Sequence, residues 1–272
     1  MTEFAAPASD AELLRRIGQI AEQAGLGAHR SAYPAAPANW GAVRTAFFLM
    51  LGGVTLTAIG VAANLEWLQG LAGFFSVVMI GTVLIGVVRT WRYDRKVGGS
   101  RLDLFEHGMV TAQPGGVVAF RYETAEVLQR ITEHYRNGVF QGTTYHYTFA
   151  GPDGARAVVN EAVANVLTWG PEIQQAVTTA QLPRVAARVR AGERVAFGDL
   201  WISATEVGSG RKSVGWDRAE QLVVVSGSAS IGVDGKFFGL STTPISRIPN
   251  FFVFQALFEH LRSSHGRISA VD

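Results

Sequence analysis

The chain has no cysteine and little charge: 17% of its 272 residues are charged, and the net charge is +2. Without cysteine, disulfides, thiolate catalysis and cysteine-built metal sites are excluded. The small net charge does not indicate nucleic-acid binding. With 48% hydrophobic residues, the composition is shifted towards the membrane class by two long apolar runs. No signal peptide is predicted, because the first apolar run begins only at residue 45.

What the chain does contain is a pair of long apolar runs, Thr45–Leu65 and Leu68–Val88, with Glu66 as the single charge between them. Each exceeds the roughly 20 residues that cross a hydrocarbon core. The alternative is a buried helical pair in a soluble protein, but neither run has the polar stripe of a soluble helix. The pattern therefore predicts a transmembrane hairpin whose small residues allow close helix packing.

Basic residues set the predicted orientation. They flank the hairpin on its outer ends, and the connecting turn has neither lysine nor arginine. By the positive-inside rule, both termini are expected in the cytoplasm, with the protein a multi-pass component of the inner (plasma) membrane. The cluster after the second run is a candidate contact for anionic lipid headgroups, at about 1 kcal/mol per residue. It comprises Arg89, Arg92, Arg95 and Lys96.

Residues 1–40 precede the hairpin, which is assigned to 41–96. An amphipathic helix is predicted to start at Ser9 or Asp10 and to end at Gly25 and Gly27. Docking on the protein's own cytosolic domain is favoured over a membrane-surface role, because the apolar stripe is narrow. His29–Trp40 contains two prolines and is predicted to be an extended linker.

Alternating apolar residues beyond the hairpin predict a series of strands. Asn137-Gly138 indicates a two-residue hairpin turn. A helix is expected from about Ala162, across Pro171, to about Ala180; Pro183 would end it and start a second short helix. The predicted strands are Arg101–Phe105, Met109–Thr111, Val117–Tyr122, Glu126–Tyr135, Thr143–Phe149 and Ala155–Asn160.

The pattern then repeats. Tyr122–Leu128 aligns without a gap to Trp216–Leu222, and each copy follows a glycine-rich turn and precedes a helix. Two tandem modules are therefore predicted, over 97–190 and, shorter, over 191–265, with a tail at 266–272. The second module would use strands at 223–225, 230–233 and 236–238, with its closing helix at 251–261.

The order of strands, the aromatic-acidic steps Tyr122-Glu123 and Trp216-Asp217, and the closing helices resemble bacterial pleckstrin-homology-like domains. Gly192–Gly198 and Ile248-Pro249-Asn250 resemble an uncharacterised actinobacterial membrane-protein family with tandem domains of this kind. The resemblance implies an α+β membrane protein in which each module is a partly open antiparallel β-barrel with a C-terminal helix. It implies no known activity, catalytic residue or cofactor.

The residues suited to chemistry do not form a recognisable site. With a two-residue turn, Gln141 would face His134, which places His134 and His146 on opposite sheet faces, unable to share a metal. Gly208–Ser213 lacks the glycine that a phosphate loop needs, so a hairpin turn is expected. An alternative role for its Arg211 and Lys212 is contact with lipid phosphate.

Two further groups of residues have structural explanations. The acids Glu123, Glu126, Asp217 and Glu220 are expected to cap turns or to pair with Arg121 and Arg218. Trp169, Trp201 and Trp216 are expected in the core.

These patterns predict a non-enzymatic scaffold or adaptor without metal or cofactor. Its cytosolic modules would bind a protein partner or anionic lipid. The alternatives are an accessory subunit of a larger membrane complex, or an enzyme whose site is not readable from the sequence. The partners expected are the bilayer, an unidentified protein and anionic lipid, with homo-oligomers an open alternative.

Overall fold

The computed structural model describes residues 10–236 and 239–268. The chain forms two compact units. One is Ala35–Gly99; the other, called the body below, comprises the described residues up to Pro34 and from Ser100 onward. The chain enters the body with helix α1 (Asp10–Gln23) and strand β1 (His29–Pro34) before the smaller unit begins. Ser9, one of the two predicted start positions of α1, lies outside the described residues.

The smaller unit consists of two paired helices, α2 (Trp40–Ala62) and α3 (Glu66–Val97). At 1.5 Å per residue they are roughly 34 and 48 Å long, and both are long and apolar enough to cross a membrane. Small residues let them pack: a Cβ at Gly53 would lie 2.8 Å from Ser76 Oγ, and one at Gly60 would lie 3.1 Å from the Gln69 backbone nitrogen. Asn39 caps α2, its side chain accepting from the Ala42 amide.

The first half of the body has a four-stranded and a three-stranded antiparallel sheet, followed by helix α4 (Val166–Arg190). The first sheet has the order β1-β2-β3-β4 and the second β5-β6-β7. The strands are β2 (Arg101–Phe105), β3 (Gly108–Gln113), β4 (Gly116–Arg121), β5 (Glu126–Arg136), β6 (Val139–Ala150) and β7 (Arg156–Asn160).

The second half repeats this arrangement. Its four-stranded sheet has the order β8-β9-β10-β11, its three-stranded sheet the order β12-β13-β14, and it ends in helix α5 (Phe251–Ile268) after a 3-10 turn at Ile245–Arg247. The strands are β8 (Val195–Phe197), β9 (Leu200–Ile202), β10 (Glu206–Ser209), β11 (Lys212–Gly215), β12 (Ala219–Val225), β13 (Ser228–Val233) and β14 (Thr242–Pro244). The strand predicted at 236–238 falls largely on positions outside the described residues.

The aligned segments of the two halves occupy the same place in the topology. Tyr122 and Trp216 each follow the fourth strand of a half and precede its fifth, and both side chains are buried. The helices also begin alike: Asn165 before α4 and Asn250 before α5 have positive φ values of 61° and 51°. In both, the asparagine carbonyl accepts from the amides three and four residues on. The repeat is therefore visible in backbone geometry as well as in sequence.

One hydrophobic core runs through both halves of the body, from Tyr33 to Phe258. The Asn250 side chain joins the two halves by hydrogen bonds. Its Oδ1 accepts from the Val127 amide at 2.7 Å, and its Nδ2 donates to the Ala125 carbonyl at 3.0 Å and to Gln181 Oε1 at 2.9 Å. Gln181, on α4, in turn donates to the carbonyls of Tyr122 and Ala125.

Two predictions about the first half were wrong. His29–Pro34 belongs to the sheet rather than to a linker, since β1 pairs with β2 in a register that joins Pro34 to Arg101. In addition, α4 continues past Pro183 to Arg190 as one helix. Proline removes one backbone hydrogen bond, but burial of Val189, together with packing of Leu182 and Val185 on the core, holds the last turns in place.

The amphipathic α1 docks on the body, as predicted. Ile17, Ala21 and Leu26 form a second buried cluster with Phe105 and Val110 on the outer face of the first four-stranded sheet. The chain then turns at Gly25 and Gly27, whose positive φ values of 62° and 78° suit glycine.

Candidate functional site

The basic cluster predicted to meet lipid lies on the last turns of α3. Arg89, Arg92, Arg95 and Lys96 are all exposed. With 3.6 residues per turn, the four share roughly one third of the helix circumference. The Arg95 guanidinium stacks on Trp91 at 4.5 Å from the ring centroid. Arg89 also lines a crevice of about 510 Å³ between the first turns of α2 and the last turns of α3.

The second predicted basic pair, Arg211 and Lys212, lies in the other unit, at the turn between β10 and β11, and both side chains are exposed. Trp201 contacts this turn, because its Nε1 donates to the Gly210 carbonyl at 3.1 Å. Arg194 stacks on the Trp201 ring at 3.5 Å and approaches the same carbonyl. The structure thus adds Arg194 to the pair.

Sequence reasoning missed Arg194 because it lies 17 residues before Arg211. The sequence does contain the aromatic partner of Arg194, Trp201, and a glycine, Gly208, that becomes its register partner across β9 and β10. A Cβ at Gly208 would come within 2.3 Å of the Trp201 ring, so glycine at that position leaves space for the indole. The equivalent turn of the first half, Gln113–Gly116, has no basic residue.

A polar groove of about 670 Å³ lies in the first half, between the ends of β2–β4 and helix α4. Tyr33 Oη donates to Glu172 Oε2 at 2.7 Å, and the Arg121–Glu123 ion pair is 2.8 Å long. The groove is lined by side chains of both charges. Its lining includes Arg30, His107, Arg121, Tyr122, Glu123 and Glu172.

The pKa values of two tyrosines are raised: Tyr122, which lines the groove, and Tyr33, which is hydrogen-bonded to the groove residue Glu172. Burial raises the pKa of Tyr122, and the nearby Glu172 carboxylate raises that pKa further. Burial and the hydrogen bond to Glu172 raise the pKa of Tyr33.

The predicted placement of the histidines was wrong. The ladder between β5 and β6 shifts near Gln141, so that His134 faces Gly142 and His146 faces Arg130. Since His134 and Arg130 are four residues apart, both histidines lie on one face, roughly 13 Å apart along the strands. That separation is too large for one metal ion. Across residues 10–236 and 239–268, no group of three or more histidine, aspartate or glutamate side chains could hold a metal.

Among the four acids, the expected pairing is seen for Glu123. Glu123 pairs with Arg121, whereas Arg218 reaches the Asp234 carbonyl at 3.4 Å. Trp169, Trp201 and Trp216 are buried, as predicted.

Comparison with known proteins places nearly the whole chain in one family. No match was found among curated proteins or among solved structures. A family model described as "Family of unknown function (DUF6585)" matches residues 4–267. That range includes both the paired helices and both halves of the body, and the chain accordingly belongs to this family of unknown function.

Proposed function

We propose that this protein is a membrane-anchored, non-enzymatic scaffold or adaptor at the inner face of the plasma membrane. The hairpin α2–α3 crosses the bilayer, both termini are cytoplasmic, and the body binds a protein partner or anionic lipid headgroups.

The observation that carries the proposal is the exposure of the hairpin's apolar side chains. In the most apolar window of each helix, only 11% of the residues are buried. A core helix of a soluble protein would bury that surface, and exposed apolar patches of this size mark contact with a membrane or a partner. Residues such as Phe48, Phe74 and Leu84 have no cover within the hairpin, with more than 60% of each exposed.

The strand pairing of the body supports the same topology. Pro34 and Arg101 are register partners in β1 and β2, so the chain leaves the body and re-enters it at one end of one sheet. A hairpin that crosses a bilayer twice also returns its two ends to one side. The absence of lysine and arginine from the connecting turn agrees with a cytoplasmic body.

For the fold of the body, the proposal is two tandem pleckstrin-homology-like modules. Each half has seven strands in sheets of four and three and a closing helix, within the described residues. The first module takes its first strand, β1, from before the hairpin, so the hairpin is inserted in the sequence of that module.

The topology can be tested by labelling single cysteines, since the natural chain has none. Ala63→Cys places a thiol in the connecting turn and Ser213→Cys places one in the body; both positions are exposed. A membrane-impermeant maleimide is expected to label Ala63→Cys in intact cells, and Ser213→Cys only after lysis. Labelling of Ser213→Cys in intact cells, or recovery of the chain in the soluble fraction, would overturn the proposal.

The lipid role has its own test in nanodiscs that contain the full chain. Phosphatidylserine, compared with phosphatidylcholine alone, is expected to slow hydrogen exchange at residues 209–213, in a way that high salt reverses. The double change Arg211→Glu with Lys212→Glu should remove the effect. The exposed Arg156→Glu with Arg262→Glu is the matched control. An unchanged exchange pattern would leave protein binding as the function of the body.

A further inference from the structure

Strands β5 and β6 continue beyond the rest of their sheet as a two-stranded ribbon. β7 pairs with β6 only as far as His146, whereas β5 and β6 remain paired up to Arg136 and Val139. Every residue from Arg130 to Gln141 is exposed. Since neighbouring side chains of a strand point to opposite faces, the body covers neither face of the ribbon over this stretch.

The ribbon tip, Tyr135–Phe140, is largely apolar. Tyr135, Val139 and Phe140 are between 55% and 61% exposed, and the centroids of the two aromatic rings lie 5.7 Å apart, edge to face. Arg136 is the single charge within the tip, and Tyr135 Oη donates to Glu133 at its base. Aromatic and aliphatic side chains with a nearby cation are typical of segments that enter the boundary between lipid headgroups and acyl chains.

Helix α4 shows towards which side of the body the ribbon points. It runs antiparallel to β5, since Gln181 donates to the Ala125 carbonyl and Gln174 donates to the Gln129 side chain. α4 begins at Val166, eight residues before Gln174 and so roughly 12 Å further on. That distance corresponds to roughly three to four residues of strand past Gln129. The ribbon tip therefore lies beyond the level at which α4 begins.

The chain leaves the body for the paired helices on this same side. The Ala164 amide, just before α4, donates to the Pro34 carbonyl at 2.9 Å. Pro34 is the last residue of the body before the smaller unit, and its register partner is Arg101, close to the point of return. Helix α2 begins at Trp40, so the segment from Pro34 spans at most roughly 22 Å. A short segment thus joins this side of the body to the membrane-length helices.

Other exposed apolar side chains lie on this side as well. Leu167, in the first turn of α4, is 71% exposed. Val225 is 63% exposed and adjoins the Ser226-Gly227 turn, which lines a groove together with Tyr135. Most of the exposed large hydrophobic residues that the structure describes in the body belong to the ribbon, to α4 at Leu167 or to the end of β12. Apolar surface gathered in this way indicates a contact surface.

We propose that the ribbon tip, together with Leu167 and Val225, inserts into the cytoplasmic headgroup layer of the bilayer that the paired helices cross. Burial of apolar side chains drives this contact, so it needs no anionic lipid, in contrast to a contact through Arg211 and Lys212. The inference rests on the membrane topology proposed above and deepens it by naming the surface of the body that meets lipid. This second attachment holds one side of the body at the bilayer.

The test uses the full chain in phosphatidylcholine nanodiscs, with one introduced cysteine that carries the fluorophore NBD. Val139→Cys places the label in the ribbon tip, and Arg156→Cys, exposed at the opposite end of the same sheet, is the matched control. A nitroxide near the top of the lipid acyl chain should quench the Val139 label about twofold, because interfacial insertion reaches roughly 5–10 Å deep. It should leave the Arg156 label unquenched. The quenching should persist in about 0.5 M salt, which screens headgroup charge.

A variant in the labelled background tests the apolar driving force. Phe140→Ser should reduce the quenching of the Val139 label, because it removes an exposed ring from the contact. Leu14→Ser removes an exposed apolar side chain from helix α1 and should leave the quenching unchanged. Equal quenching in these two variants would contradict the proposal.

The labelled parent gives the outcomes that decide between occupants of the tip. An unquenched Val139 label, or equal quenching of the Val139 and Arg156 labels, would overturn the proposal. Blue-shifted emission from the Val139 label without quenching by lipid would also overturn it, because the tip would then be covered by a second copy of the chain or by a partner protein.

The two proposals fail separately. If maleimide labelling supports the anchored topology but the Val139 label is not quenched, only the tip contact is lost. If the chain is soluble in cells but its Val139 label is quenched on added liposomes, the anchored topology is lost and the lipid-binding tip remains.

Discussion

The two four-stranded sheets of the body have the same strand order, but their outer faces are covered differently. In the first sheet, α1 lies over Phe105, Val110 and Ala112 and buries them with Ile17. In the second sheet, the equivalent face is occupied by Trp201, over which Arg194 is stacked.

The strand register shows which residues on each sheet lie under the covering group. Val110 pairs with Asp103 on the first sheet, and Gly208 pairs with Trp201 on the second. The apolar side chains of the first face pack against helix α1, whereas glycine at position 208 leaves space for the Trp201 ring. One backbone arrangement therefore accepts a helix or a single stacked pair, depending on side-chain volume.

The largest expected effect is at the junction of the halves. Asn250→Ala should lower the free energy of unfolding by about 3 kcal/mol, because it leaves the Val127 amide and Gln181 without their partner in addition to straining a positive-φ position. Asn165→Ala is the matched control: the backbone conformation is the same but the side chain is exposed, so about 1 kcal/mol is expected. Chemical denaturation of both variants measures the difference; equal losses would contradict the junction's role.

The second-largest effect is expected where helix α1 packs on the first sheet. Ile17→Ala should destabilise the body by about 2 kcal/mol, because Ile17 is only 3% exposed and its loss leaves a cavity over the sheet. Leu14→Ala, on the exposed side of the same helix, should change stability by less than about 0.5 kcal/mol. Hydrogen exchange should rise in β3 and β4 of the Ile17 variant and remain unchanged in β10 and β11.

Alkaline pH should destabilise the first half of the body before the second. The pKa values of Tyr33, Tyr122 and Tyr147 are raised, chiefly by burial, and the second half has no tyrosine. A phenol whose folded pKa is raised stabilises the fold fully below its unfolded value of 10.0. Above that value, stability is lost at roughly 1.4 kcal/mol per pH unit for each such tyrosine, until its folded pKa is reached.

Protection from hydrogen exchange, corrected for the intrinsic rate at each pH from 8 to 11, should therefore fall first in β4–β6. Tyr122→Phe should reduce the slope of stability against pH. Loss of protection at the same pH in both halves would contradict a role for these tyrosines.

The smallest effect concerns the cover of the second sheet. Arg194→Ala should lower stability by about 0.5–1 kcal/mol, the value of an exposed cation–π contact. It should also increase the accessibility of Trp201 to acrylamide quenching. Arg211→Ala, a neighbouring exposed arginine, should leave both quantities unchanged if the stack on Trp201 is what matters.

Much of the secondary structure could be read from local patterns. The long apolar runs gave the paired helices, alternation gave most strands, and the match of Tyr122 with Trp216 identified equivalent positions in the two halves. These features depend on residues that are near one another in sequence, so period and composition were sufficient to find them.

The features that were missed depend on distant partners. His29–Pro34 has weak alternation and becomes a strand because β2, about 70 residues later, pairs with it. α4 passes Pro183 because the core holds the following turn, and the shift at Gln141 moves His146 to the face of His134. Arg194 could not be identified before its neighbours Trp201 and Gly210 were placed.

The sequence by itself determined where the chain is helical or extended and where apolar surface is continuous, since these follow from the order of neighbouring side chains. Only the tertiary structure decided that a strand before the hairpin completes the first sheet, and that Asn250 binds the edge of β5. The reason is that hydrogen bonds and close contacts between residues about 70 to 125 positions apart depend on how the whole core packs.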